Sequence, residues 1–244
     1  KAEVKNRIIF GSRFHRDGVD RFQWRDRYSM DNGTMELVTP GIHGTAGNRV
    51  ESATALAKYL RATLHFGDFT ITPGLRHENI SFERYDYGSS DLERLGEGDY
   101  RLNNVSVLLP GVGLNYQVSR SLDVYTGVHR GFIPPGSNPE TKPELSINSE
   151  LGLRFSHRSV SAQLVIFSNN YSNLLGADLN ASGGTGSGDL FNGGSAMANG
   201  LEFELAVDPF TDGPFDQISM PVRVAYTYTD AIFTNAFASD FGAW

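Results

Sequence analysis

Apolar residues recur at every second position over one stretch of the chain after another, the pattern of a β-strand with one oily face and one wet face. From Leu145 to Phe155 the odd positions are Leu145, Ile147, Ser149, Leu151, Leu153 and Phe155, and the even ones are Ser146, Asn148, Glu150, Gly152 and Arg154. Leu201, Phe203, Leu205 and Val207 alternate with Glu202, Glu204 and Ala206 in the same way, and Val222, Val224, Tyr226 and Tyr228 with Arg223, Ala225, Thr227 and Thr229. The pattern predicts nine strands near 7–16, 50–66, 69–83, 104–118, 121–132, 144–156, 159–171, 195–207 and 221–231. No long helical periodicity competes; the nearest rival, 52–64, also fits the alternation.

The connections between these strands alternate in length. Segments 17–49, 84–103, 133–143 and 172–194 are long, 67–68, 119–120 and 157–158 are tight, and 208–220 is intermediate. Short turns at one end and long polar loops at the other are the signature of an outer-membrane barrel, whereas a soluble sandwich has no reason to sort its loops by end. The expected fold class is therefore all-β, an antiparallel transmembrane barrel meander.

Composition agrees. No run approaches the ~18 apolar residues of a membrane helix, but membrane strands need only ~9–11 residues with alternate apolar positions, so a mean hydropathy of -0.30 is neutral. The 244 residues include no cysteine, which removes disulfide scaffolds and thiolate metal sites. A formal net charge of -7 argues against a nucleic-acid surface. Lys1-Ala2-Glu3-Val4 carries no secretion signal, so the chain is expected to be cytosolic or a piece of something longer. Aromatics near strand ends, Phe66, Phe69, Tyr116, Tyr125, Phe155, Tyr171, Tyr226 and Tyr228, suit interfacial girdles, although aromatics favour strands in any case.

Recognisable catalytic motifs are missing. There is no nucleophile elbow, phosphate-binding loop or dinucleotide fingerprint, and His15, His43, His65, His77, His129 and His157 lack ligand spacing, so neither an enzyme nor a protein-bound metal or cofactor is expected. Glu202 and Glu204 suit a hydrated wall better than paired acid/base work. One cluster is sharper. In the segment 21–28, Arg21, Gln23, Arg25 and Arg27 fall on one side of an extended chain, with Phe22, Trp24 and Tyr28 on the other. A row of guanidinium forks suits a carboxylate-rich or phosphate-bearing ligand; alternatively Asp17, Asp20 and Asp26 neutralise the arginines within a structured hairpin.

Three motifs then occur in order. The stretch 64–78 contains a strand, a tight turn and Thr72-Pro-Gly-Leu-Arg-His-Glu78; 143–154 reads PELSINSELGLR; and Asn199-Gly-Leu-Glu-Phe-Glu204 follows. They resemble the "TPGLRYE", "PE-x-S-x-x-x-E-x-G" and "x-G-x-E" strands of TonB-dependent outer-membrane receptors, and the likeness spans essentially the whole chain. Segments 21–28 and 48–56 look most like the branch that includes the ferric dicitrate receptor.

The resemblance implies a 22-stranded barrel closed by an N-terminal plug, in the bacterial cell outer membrane. Such a receptor acts as a monomer that imports a ferric chelate, with energy from the TonB–ExbB–ExbD complex pulling on the plug. Residues 1–244 would then be one partial β-barrel domain, an internal fragment of about nine strands without plug or TonB box. Oily positions such as Leu151, Leu153, Phe203, Leu205, Val222 and Val224 are expected to meet lipid. Arg76, Glu78, Glu150, Arg154, Glu202, Glu204 and Arg223 are expected to face the lumen. The ferric chelate is cargo, and Arg21, Gln23, Arg25 and Arg27 are its expected ligand-binding residues on chemistry alone. A passive porin-like channel shares the alternation and the loop asymmetry, and a soluble all-β module shares the alternation.

Overall fold

The computed structural model describes residues 6–177, 190–210 and 218–235, and the backbone of 238–239 and 242–243. Nine long strands form one antiparallel sheet: β1 (Arg7–Gln23), β4 (Gly47–Phe66), β5 (Phe69–Asp86), β6 (Asp99–Gln117), β7 (Leu122–Ile133), β8 (Glu144–His157), β9 (Val160–Ser172), β12 (Ser195–Val207) and β13 (Val222–Phe233). Each pairs with the next in that order, so the sheet is a pure meander. The long connections carry small hairpins of their own: β2 (Arg27–Asp31) with β3 (Thr34–Thr39), and β10 (Leu175–Ala177) with β11 (Leu190–Asn192). A short pair, β14 (Ala238–Ser239) and β15 (Gly242–Ala243), follows. β1 and β13 are the two edges of the sheet, and the barrel is not closed.

All nine expected strands are present, and their ends moved where loop-side pairing outlasts the hydrophobic pattern. β1 runs on from residue 16 to Gln23, because 17–23 pairs residue for residue with Ala53 to Gly47. The turns at the tight end use the left-handed conformation that a two-residue hairpin needs: Gly67 has φ 62° and Arg158 φ 50°.

Directly opposed residues of an antiparallel pair project to the same side, so the register sorts the side chains. Arg76 lies between Tyr59 and Leu109, and Glu78 between Ala57 and Val107. Arg154, Gln163, Glu204 and Ala225 form a row across four strands; Glu150 and Phe167 share another, Val165 and Glu202 a third, and Arg223 opposes Ala206. The charged positions thus share one face, which we call the polar face.

The opposite face is oily in a measured way. Counted inward from the tight-turn end, β4 presents Phe66, Leu64, Ala62 and Leu60; β5 presents Phe69, Ile71, Pro73 and Leu75; and β12 presents Val207, Leu205, Phe203 and Leu201. The eighth residue along, on the same face, is then polar on seven strands, Lys58, His77, Arg130, Ser149, Ser168, Asn199 and Asp230 on β4, β5, β7, β8, β9, β12 and β13, whereas on β6 it is Leu108. Eight residues at ~3.3 Å each span ~26 Å along a strand, or ~20 Å of height at the usual tilt of ~40°, most of the ~25 Å apolar band of an outer-membrane barrel.

The aromatic girdle needs correcting in part. Phe69 and Tyr116 stack at the tight-turn end, 4.4 Å between centroids, on the oily face. Tyr125 and Tyr171 lie on the polar face instead, because their registers with Gly152 and Ser146 set that parity. There the Tyr125 ring covers Gly152, so closely that a Cβ on Gly152 would lie 2.2 Å from it. Tyr59 covers Gly11 and Phe167 covers Gly200 in the same way, each ring shielding the backbone of its directly opposed glycine.

Candidate functional site: the polar-face mouth

The long-loop end of the polar face is where guanidinium groups converge. Register puts Arg21, Arg49, Asp86 and Asp99 in one row across β1, β4, β5 and β6, and Val19, Glu51, Arg84 and Arg101 in the next. Glu51 is shared: its Oε1 lies 3.2 Å from Arg49 Nε and 3.6 Å from Arg84 Nε. Arg84, with 4% of its side chain exposed, also donates from Nη2 to Asp86 Oδ2 at 2.5 Å. Arg101 Nε pairs with Asp99 Oδ2 at 3.1 Å, and Arg21 Nε donates to Gln23 Oε1 at 2.6 Å. Burial lowers the pKa of the Arg49 guanidinium, and so does the charge on Arg84; Glu51 opposes them, Arg21 adds to the lowering, and Asp86 opposes it. Like charges held together in this way favour an anion beside them.

A cavity of about 350 Å³ opens here, with Asp17, Arg49, Glu51 and Arg84 on one side and Pro135, Gly136 and Asn138 on the other. The 134–143 loop is pinned as its roof. Asn103 Nδ2 donates to the carbonyls of Gly136 and Asn138 at 2.9 Å each, and Pro135 is fully buried. Thr141 Oγ1 donates to Leu190 O at 2.6 Å, and Asn192 bonds Lys142 in both directions, tying the roof to the β10–β11 hairpin.

The structure splits the arginine row expected over 21–28. Arg21 and Gln23 end β1 on the polar face, Arg25 lies in the connection 24–26, and Arg27 opens β2 at a register shift. The extended run breaks because the chain must turn into the β2–β3 hairpin, and Gly41 packs so tightly against Arg25 that a Cβ there would lie 2.4 Å from its carbonyl oxygen. The alternative partners also differ. Asp26 accepts from Gly41 N at 2.7 Å, Asp17 accepts from Gly18 N at 2.8 Å, and Asp20 binds Arg94 from another loop. Arg49, Glu51 and Arg84 were not singled out from sequence. The signal was present, because a two-residue turn at Gly67–Asp68 fixes every β4–β5 pair, Arg49 with Asp86 and Glu51 with Arg84.

Deeper on the polar face, Arg76 Nε donates to Glu78 Oε1 at 2.5 Å, and Glu78 is only 6% exposed between Ala57 and Val107. Arg154 stands over the Tyr125 ring at 5.0 Å, and Arg223 pairs with Glu204 at 3.2 Å. Glu150 and Glu202 line a polar-face hollow with His129, Asn148 and Asn169.

Comparison with known proteins follows the same lines. The family described as "TonB dependent receptor-like, beta-barrel" matches residues 2–243. The fold is similar to the unliganded ferric citrate transporter FecA, with 20% identity, TM-score 0.67, and coverage of 93% of this chain and 33% of that one. It is similar to the siderophore receptor PiuA from Acinetobacter baumannii, with 14% identity, TM-score 0.71, and coverage of 98% and 37%. It is also similar to the ferric yersiniabactin uptake receptor FyuA from Yersinia pestis, with 21% identity, TM-score 0.64, and coverage of 100% and 39%. No curated protein matches. The chain spans about a third of the length of these solved receptors. With its nine-stranded meander, loops sorted by end and family match over nearly every residue, the chain belongs to the TonB-dependent receptors, within their β-barrel.

Proposed function

We propose that this segment builds part of the wall and mouth of an outer-membrane receptor for an anionic ferric chelate of the siderophore or ferric citrate type. The observation that carries the reading is the convergence of Arg49 and Arg84, with Arg21 beside them, under the pinned 134–138 roof. Planar guanidinium forks match carboxylates bidentately, and a multiply charged chelate competes for forks that otherwise share Glu51. The oily face meets lipid, and the polar face lines the lumen. Energy comes from the TonB–ExbB–ExbD complex acting through a plug domain, as the family implies. Neighbours titled as a ferric citrate transporter and as siderophore receptors support the cargo class.

The test is uptake of radioactive ferric citrate and of ferric siderophores by cells whose only such receptor is the full chain carrying this segment. Uptake is expected to stop when tonB is deleted; uptake that persists makes the protein a passive channel. Arg21→Gln with Arg49→Gln is expected to weaken chelate binding by about tenfold or more, at ~1.5–3 kcal/mol per lost charged hydrogen bond. Arg25→Gln with Arg27→Gln serves as the comparison, since neither residue stands in the polar-face row that Arg21 and Arg49 share. A loss confined to the second pair would return the site to the β2 hairpin.

A further inference from the structure

The β2–β3 hairpin has two unlike sides. Directly opposed residues share a side, so Tyr28 with Leu37 and Met30 with Met35 make one side apolar, while Ser29 with Glu36 and Asp31 with Thr34 make the other polar. The four apolar side chains are between 48% and 69% exposed, and Val38, left unopposed by the register shift, is exposed too. Among the described residues no other strand packs extensively on β2 or β3. A two-stranded hairpin alone in water is marginally stable, so an apolar side of this kind needs a cover.

The root of the hairpin is nonetheless fixed. Trp24 and His43 stack with centroids 3.8 Å apart, Phe22 meets His43 edge-on at 6.4 Å, and Asp26 accepts from Gly41 N at 2.7 Å. On the β4 flank the root already has a neighbour, the 87–98 loop. Its Arg94 binds Asp20 and Asn48, and its Leu92 comes so near Gly44 that a Cβ there would lie 3.0 Å away. On the other flank stands β1, paired with β4 at all 17 positions from Arg7 to Gln23 and with no strand along its second edge. Hydrocarbon does not tolerate an open strand edge, so in a closed barrel a further antiparallel strand runs beside β1. That strand reaches the mouth where β1 does, and its loop emerges next to residues 24–46.

We infer that the apolar side of the β2–β3 hairpin is a docking surface for an apolar segment of that neighbouring loop of the same receptor. The proposal rests on the barrel reading above, which puts a strand and its loop on the open edge of β1, and not on the nature of the cargo. Size favours a tethered occupant. The exposed area of four side chains falls well short of the ~800 Å² that each partner of a stable complex buries, whereas a loop held one strand away docks at high effective concentration. Chemistry agrees, because the two methionines adapt to an irregular apolar segment better than branched side chains do.

The experiment uses the full receptor in outer membranes, with photoreactive benzoylphenylalanine placed in turn at Tyr28, Met30, Met35 and Leu37 on the apolar side and at Ser29 and Glu36 on the polar side. After irradiation, products are sized on gels and their linked peptides are sequenced by mass spectrometry. The four apolar-side positions are expected to link within one receptor chain, to a single loop that precedes Lys1, and the two polar-side positions are not. A product of twice the receptor mass, which makes the occupant a second copy, overturns the proposal. So does a link to another protein, a link confined to residues 1–244, or a yield no greater than that of Ser29 and Glu36. In a second measurement, Met30→Ser with Leu37→Ser is expected to speed cleavage after Arg27 by external trypsin about tenfold, because local opening governs such cleavage. An unchanged rate also counts against the docking. Heat-modifiable migration on gels is scored for every protein. A wild-type chain that lacks it fails the barrel reading and this proposal with it, whereas a folded receptor without the intramolecular link fails this proposal alone.

Discussion

Arg94 and Asp20, 74 positions apart in the chain, meet through two parallel hydrogen bonds, Nη1 to Oδ2 at 3.1 Å and Nη2 to Oδ1 at 2.6 Å. Arg94 Nε also donates to Asn48 Oδ1 at 2.7 Å, and its guanidinium stands over the Phe22 ring at 5.1 Å and the Tyr87 ring at 5.5 Å. Asn48, 2% exposed, in turn donates to the carbonyls of Gly88 and Asp91. The 87–98 loop is thereby clamped to the long-loop ends of β1 and β4. Arg94 takes a left-handed φ of 56°, which its fork of partners holds in place.

This clamp makes the loop sensitive to acid. The hydrogen bond from Arg94 lowers the Asp20 carboxyl below its ordinary 3.8, against the opposing effect of burial, and the same bond raises Arg94. A carboxylate depressed in the folded state contributes fully above the ordinary value and loses that contribution as pH falls through the folded one. Hydrogen exchange of residues 87–98 is therefore expected to be unchanged from pH 7 to 5, after correction for intrinsic rates, and to accelerate below about 3.8. Asp20→Asn is expected to show the faster exchange at every pH.

Asn103 pins the roof of the mouth. Asn103→Leu removes two hydrogen bonds to carbonyls from a residue that is 8% exposed. At ~1 kcal/mol each, the 136–138 amides are expected to exchange roughly 10- to 30-fold faster. Chelate dissociation from the full receptor is expected to speed up in parallel, measured by stopped-flow quenching.

The glycines beneath aromatic rings should not tolerate a methyl group. In Gly152→Ala the new Cβ would lie 2.2 Å from the ring of Tyr125, whose hydroxyl accepts from Gln163 Nε2 at 2.9 Å and whose ring supports Arg154. Moving a packed ring is expected to cost about 1–3 kcal/mol, read as a lower urea midpoint for folding into vesicles. Gly152→Ala with Tyr125→Leu is expected to recover part of it.

Facing sets the cost of charge. Leu153 lies four residues into the oily belt, so Leu153→Arg is expected to cost ~2–4 kcal/mol of folding into bilayers. Glu202→Gln, on the polar face, is expected to stay within about 0.5 kcal/mol. Comparable losses in the two would contradict the facing assignment.

Strand identity and facing were legible in the sequence because period-2 alternation is a property of single strands and survives any register. The seven charged positions from Arg76 to Arg223 therefore fall on one side once strands pair without slips. The mouth was less legible, since it depends on what happens beyond the belt. From Arg16 onward β1 loses its apolar pattern, yet pairs to Gln23, so Arg21 joins Arg49 rather than Arg25 and Arg27. Asn32-Gly33, with φ 45° and 82°, is the ordinary signature of a two-residue hairpin turn, and reading it would have located the break. No local pattern announces the Asn103 contacts to 136–138 or the Arg94 clamp, which join segments 33 to 74 positions apart.

The most direct measurement exploits the lack of cysteine in the chain. Single cysteines are placed in turn at Leu201, Glu202, Phe203, Glu204 and Leu205 of the full receptor in outer membranes. Each is challenged with a membrane-impermeant maleimide and with a lipid-confined quencher of an attached fluorophore. Strict alternation is expected, with 202 and 204 reached from water and 201, 203 and 205 quenched from lipid. Uniform aqueous labelling of all five positions, with no lipid quenching, would contradict a transmembrane wall.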